Sequence, residues 1–127
     1  MAKTKQFTIT IQNQPGALAA ITRPLSAAKV NLVALLATSQ GTSATVQLIA
    51  DNPRKAKRAL DEARISYQEK AAEELSLLNK AGALTQVLDK LAAKGVNLST
   101  LYATAAKGGK RATVVYTAEA QAQTASA

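Results

Sequence analysis

Apolar and polar positions alternate from Phe7 to Gln12: Phe7, Ile9 and Ile11 take turns with Thr8, Thr10 and Gln12, the two-residue rhythm of a strand buried on one face. Leu75 and Leu77 repeat that rhythm more weakly. After each run the period lengthens. Leu18, Ile21, Leu25 and Ala28, and later Leu84, Val87, Leu88 and Leu91, follow the spacing of an amphipathic helix. Residues 30–38 and 43–50 read as two strands joined by Ser39-Gln40-Gly41-Thr42, and residues 96–104 and 110–117 repeat the hairpin through Lys107-Gly108-Gly109. Asp51-Asn52-Pro53 starts a helix with proline in its first turn and Ala56, Ala59, Leu60 and Ala63 facing inward, and a strand from about 65 to 71 follows.

The pattern is a repeat. Asn13-Gln14-Pro15-Gly16-Ala17-Leu18 recurs as Asn79-Lys80-Ala81-Gly82-Ala83-Leu84, and Val30-Asn31-Leu32 recurs as Val96-Asn97-Leu98, both at an offset of 66. Ala44-Thr45-Val46 matches Ala112-Thr113-Val114 at an offset of 68, which places a two-residue insertion near Gly108-Gly109, in a turn. Gly95 suits the left-handed residue that ends a helix. Its counterpart Lys29 carries a cost of roughly 1 kcal/mol if the same backbone is kept. Pro24 falls inside the first helix, removes one backbone hydrogen bond and is expected to kink it.

Copy one is thus β-α-β-β-α-β and copy two β-α-β-β, an α+β chain of two tandem ferredoxin-like modules, the second truncated. The expected boundaries are residues 1–72, residues 73–117, and an Ala- and Gln-rich tail at 118–127 with too few bulky apolar groups to pack. Without its own last strand, copy two leaves the strand at 74–79 an unpaired edge. Residues 65–72, the tail or another subunit are the candidates to cover it. Residues 32–37 are apolar on both faces, so this strand is expected to pair with its repeat or with a second chain.

Composition narrows the chemistry. Of 127 residues 47% are apolar, but 28 are alanine, so the core must be thin. With no Cys and no His there is no disulfide, no thiol nucleophile and no imidazole base or ligand, and no metal site or cofactor is expected. No phosphate-binding loop, dinucleotide fingerprint or nucleophile elbow is present, and the eight acids lie mainly on helix faces, as Asp61, Glu62 and Asp89 do, or in a connector (Glu69, Glu73, Glu74). The reading is a protein that is not an enzyme and has no catalytic residues. Met-Ala-Lys-Thr-Lys-Gln leads straight into a strand, with no signal-peptide apolar region and no run of the ~20 residues a membrane span needs, so a cytoplasmic location away from membranes is expected.

The strand-to-helix turn holds the candidate chemistry. A helix N-terminus offers unpaired amides and a positive dipole end, and Gly16 removes the side chain that blocks close approach, a setting for a carboxylate. Asn13 and Asn31 each carry an acceptor as well as a donor, and together they suit the ammonium of the same zwitterion. The same residues also suit a plain N-cap and tight turn, and duplication copies structural turns too.

These residues resemble the signature of ACT domains, regulatory modules that bind amino acids. Asn13-Gln14-Pro15-Gly16-Ala17-Leu18, the helix, Val30-Asn31-Leu32, Leu48-Ile49-Ala50-Asp51-Asn52-Pro53 and the second copy through Leu101-Tyr102 look like small proteins built from tandem ACT domains, over nearly residues 5 to 117. The resemblance implies a ligand between the strand-to-helix loop of one module and a facing module or subunit. Its implied site residues are Asn13, Gln14, Pro15, Gly16, Ala17, Leu18, Asn31 and Leu32 in copy one. Copy two matches with Asn79, Lys80, Gly82, Ala83, Leu84, Asn97 and Leu98, where Ala81 replaces the proline and Lys80 adds attraction for a carboxylate. A free amino acid or similar small carboxylate, a homodimer and a downstream protein are the expected partners.

Nucleic-acid binding is the competing class, because 16 Lys and Arg against 8 Asp and Glu give +8. RNA-recognition sheets stack bases on aromatics, and here none falls at residues 43–50, while Phe7 belongs to an apolar strand face. Arg54, Lys55, Lys57 and Arg58 are the densest basic cluster, with Asp61 and Glu62 four residues beyond the last two, as on a solvated helix. An oligomerising module without ligand is the other alternative.

Overall fold

The computed structural model describes residues 2–119. The chain runs β1 (Ala2–Gln12), α1 (Ala17–Ala27), β2 (Leu32–Gln40), β3 (Ser43–Ala50), α2 (Pro53–Glu62), β4 (Gln68–Leu78), α3 (Ala83–Ala93), β5 (Leu98–Ala105) and β6 (Arg111–Ala118). It divides into two compact units, Thr4–Ala71 and a second made of Ala2, Lys3 and the chain from Ala72 onward.

In the first unit the strand order is β2-β3-β1-β4. Antiparallel pairing sets Phe7 opposite Leu48 and Ile9 opposite Val46, so the alternating apolar residues of both strands line one face. Helices α1 and α2 cover that face. Ile21 and Leu25 from α1 and Ala56, Ala59 and Leu60 from α2 pack with Phe7, Ile9, Val46 and Leu48. Burying a side chain of the Leu or Ile class contributes about 1.5–3 kcal/mol. Phe7 is fully enclosed, and its ring meets Tyr67 edge-on at 5.4 Å. Ala63, expected to face inward, is exposed, because α2 stops at Glu62 and Ala63 is its C-cap.

In the second unit the order is β4-β6-β5, with Leu75 opposite Val114 and Leu77 opposite Ala112. The only buried residue of α3 is Leu91, whereas α1 buries two. No second helix follows β6 among the described residues, and none of these supplies a counterpart to Ala56, Ala59 and Leu60 of the first unit.

Local expectations change along the chain. Most of the segments at 65–71 and 74–79 run together as one continuous strand, β4, from Gln68 to Leu78, so Glu69, Glu73 and Glu74 lie in a ladder rather than a connector. The edge of that strand in the second unit is met by the start of β1: Ala2 shares a shallow cleft with Glu74, Leu75, Ser76 and Thr113. Strand β1 thus takes in Ala2 and the residues after it, a stretch read as leading into the strand. Among the described residues strand β2 has β3 on one side and no strand on the other, so it does not pair with its repeat β5 within the chain, and Leu35 and Leu36 are exposed. The tail expected at 118–127 falls largely outside the described residues, but Ala118 ends β6 and the Glu119 amide donates to the Asn97 carbonyl at 2.7 Å.

All three helices end in the same turn. A left-handed residue (Lys29, φ 61°; Arg64, φ 60°; Gly95, φ 74°) is followed by an amide that donates five residues back, from Val30 to Leu25, Ile65 to Leu60 and Val96 to Leu91. Lys29 does adopt the backbone its glycine counterpart uses. Helix α1 runs unbroken through Pro24, whose carbonyl accepts from the Ala28 amide.

Candidate functional site

Each module bends sharply from its first strand into its first helix, and the two bends share one hydrogen-bond plan. The Asn13 amide donates to the Thr42 carbonyl at 2.9 Å, and its side-chain Nδ2 donates to the Gly41 carbonyl at 3.2 Å. The Asn79 amide donates to the Lys110 carbonyl at 2.8 Å, and its Nδ2 to Gly109 at 2.9 Å. Both asparagines thus tie the bend to the tip of the following hairpin. They are not N-caps. The cap residues are Gly16 and Gly82, at φ 85° and 89°, a left-handed backbone open to glycine at little cost.

A glycine cap brings no side-chain acceptor, and neither helix has a side-chain cap. The Ala17 amide turns back to the Gln14 carbonyl and the Ala20 amide to Gly16, leaving the amides of Leu18 and Ala19 without a partner among the described residues. Ala83 and Gln86 repeat those bonds to Lys80 and Gly82, leaving Leu84 and Thr85 in the same condition. No acid lies in the first turn of either helix. Bare amides at the positive end of the helix dipole attract a small anion.

An open cleft lies beside each bend. The first, about 220 Å³, is lined by Ile11, Gln12, Asn13, Gln14, Ala17 and Leu18 from the bend, with Ala37, Thr38 and Ser39 from β2 and Ala44 from β3. The second, about 200 Å³, is lined by the matching run from Leu77 to Leu84 (without Ala81 and Gly82), with Ala103, Thr104 and Ala105 from β5 and Ala112 and Val114 from β6. Neither lining contains an acid, and Lys80 brings a cation to the second. Leu18, named both in the helical apolar pattern and among the implied site residues, lines the cleft and is 37% exposed.

The structure therefore gathers Asn13, Gln14, Ala17 and Leu18 at one cleft and Asn79, Lys80, Ala83 and Leu84 at the other. Pro15, Gly16 and Gly82 shape the bends without lining them. Asn31 and Leu32, like Asn97 and Leu98, lie beyond the far end of the helix. Helix α1 has 11 residues, roughly 16 Å at 1.5 Å per residue, so Asn13 and Asn31 of one module cannot hold one ammonium. Asn31 is engaged at its own end: its amide and Nδ2 donate to the two carboxylate oxygens of Asp51 at 3.1 and 3.4 Å. The strand residues that complete each cleft did carry a signal, since Leu35-Leu36-Ala37-Thr38 recurs as Leu101-Tyr102-Ala103-Thr104 at the same offset of 66.

The charged groups elsewhere take other partners than helical spacing indicates. Lys57 pairs with Glu69 at 3.6 Å rather than with Asp61, which accepts the Tyr67 hydroxyl at 2.8 Å. Loss of solvent, then that hydrogen bond, pushes the Tyr67 phenol up to about 12. Phe7 is enclosed in the core and offers no ring for base stacking. Among the described residues no cluster of three metal-ligating side chains occurs, and no helix is long and apolar enough to cross a membrane.

A ferredoxin-like fold repeated in tandem, with a glycine-capped helix start beside a cleft in each copy, defines a pair of related α+β modules. The model of the ACT domain pair family matches residues 2–126, and the chain belongs to that family. Among solved structures it is similar to protein BT0572 from Bacteroides thetaiotaomicron, at 28% identity and TM-score 0.82 over 95% of this chain and 83% of that one. It also shares its fold with the ligand-free regulatory subunit of aspartate kinase from Thermus thermophilus, at 16% identity and TM-score 0.66 over 91% and 82% of the two chains. No curated protein matches the sequence. ACT domains are, as a class, regulatory modules.

Proposed function

We propose that this chain is a cytoplasmic, non-catalytic sensor in which the two clefts hold free amino acids or closely related small carboxylates. The ligand carboxylate meets the bare amides of Leu18 and Ala19, or of Leu84 and Thr85, and the side chain lies against the hairpin strand. The carrying observation is that both copies keep the same glycine-capped, acid-free helix start beside a cleft, despite the change from Gln14 and Pro15 to Lys80 and Ala81. Asn31, Leu32, Asn97 and Leu98 reach a ligand only as contributions from a facing copy of the chain. Binding then changes how two copies pack, and a downstream protein reads the change. Such coupling requires unequal affinity for two arrangements.

The test is a thermal-shift screen of the full chain against the standard amino acids. A ligand at 100 times its dissociation constant stabilises the folded state by about 2.7 kcal/mol, a rise of several degrees. A flat response across the panel contradicts the reading. It would favour the second reading, an assembly module without ligand, for which the exposed Leu35 and Leu36 on the outermost strand β2 are the supporting observation.

A further inference from the structure

The two clefts share most of their lining and differ in polarity at three matched positions. Gln12, Gln14 and Ser39 of the first become Leu78, Lys80 and Ala105 of the second. The first cleft thereby presents two carboxamides and a hydroxyl, all uncharged and able both to donate and to accept. The second presents a leucine, a methyl group and one ammonium. We infer that the clefts sort ligands: the first takes an amino acid with an uncharged polar side chain, and the second takes an aliphatic one. This inference rests on the amino-acid reading of the clefts.

An aliphatic side chain entering the first cleft displaces water from Gln12, Gln14 and Ser39 without replacing its hydrogen bonds. A hydroxyl or amide side chain replaces them. In the second cleft the aliphatic group meets Leu78 and Ala105, and Lys80 adds a point charge for the α-carboxylate. Gln12, Gln14, Leu78 and Lys80 are all exposed, so water continues to reach them and limits the discrimination. About tenfold in affinity in each direction is expected, far below the ratios of enclosed polar sites. The charge gives a second signature: carboxylate affinity at the second cleft falls with added salt more steeply than at the first.

The experiment isolates each cleft in the full chain. Ala17→Glu and Ala83→Glu each put a carboxylate at the first position of a helix, where it favours the helix and repels an incoming carboxylate. Calorimetric titration of Ala83→Glu, with the first cleft intact, is expected to give asparagine or threonine about tenfold tighter than leucine or valine. Ala17→Glu is expected to give the reverse order, with the steeper salt dependence. As a route that leaves both helix starts unaltered, the parent chain carrying Gln12→Leu, Gln14→Lys and Ser39→Ala is expected to bind asparagine and threonine about tenfold more weakly and to keep its affinity for leucine and valine. The same ligand order at both isolated clefts, or an unmoved preference after the swap, overturns the sorting while leaving amino-acid binding in place. No binding of any of these ligands by the parent chain overturns both.

Discussion

Lys29 and Arg64 hold a backbone that glycine holds at the matching end of α3, at φ 61°, 60° and 74°. The left-handed conformation costs an L-residue roughly 1–2 kcal/mol, partly offset by the extra freedom glycine has when unfolded. Lys29→Gly and Arg64→Gly are each expected to stabilise the chain by about 0.5 kcal/mol or more, measured by urea unfolding; no gain in either would contradict the helix-end geometry. Lys29 was legible through its repeat partner Gly95. Arg64 was not, because no residue of copy two repeats its segment of the sequence. Asn13 shows the limit of local reading more sharply. Its spacing to Gly16 fits an N-cap, yet its side chain reaches the carbonyl of Gly41, and Asn79 reaches that of Gly109. Such a contact, 28 residues ahead in the first copy, leaves no trace in periodicity. Asn13→Ala is expected to cost about 0.5–1 kcal/mol through loss of one hydrogen bond between bend and hairpin, measured the same way.

At the level of elements, β4 departs furthest from its sequence pattern. Gln68-Glu69-Lys70 and Glu73-Glu74 look like a solvated boundary, yet they belong to an 11-residue strand, the same length as β1 beside it. Its ends serve different units, so its polar residues need not alternate as they would over a single core. A connector tolerates proline. A strand hydrogen-bonded on both sides does not, and Glu73 pairs with Tyr116 in the ladder to β6. Glu73→Pro is therefore expected to destabilise the chain by at least about 2 kcal/mol, or to prevent soluble folding, as followed by circular dichroism and urea unfolding. Near-normal stability of Glu73→Pro would contradict the continuous strand. The helices and hairpins were legible because each copy repeats them; the far end of each cleft was not, because β2 and β5 return to the bend only through hairpin pairing.

For the whole molecule, alanine-rich composition leaves few large side chains to share between two cores, and among the described residues no helix gives the second the layer that α2 supplies to the first. The three tyrosines mark how well these surfaces are packed. Tyr67 and Tyr102 are each raised to about 12 and Tyr116 is raised as well, in every case first by loss of solvent. Because the folded values lie above the ordinary value of 10, their contribution to stability is complete below pH 10 and is lost as pH rises from 10 towards 12. Phenolate absorbance of the native chain is expected to develop well above pH 10, and at the ordinary value in denaturant. Native titration at pH 10 would contradict this packing.

The central claim is that a small carboxylate is held by the uncapped starts of α1 and α3. Amide chemical shifts of the isotope-labelled chain, recorded during titration with the amino acid that stabilises it most, test this most directly. The account predicts saturable shifts that are largest at Leu18 and Ala19, at Leu84 and Thr85, or at both pairs, with Thr38 or Thr104 moving alongside. Largest shifts away from both helix starts, or none at saturating ligand, would contradict it.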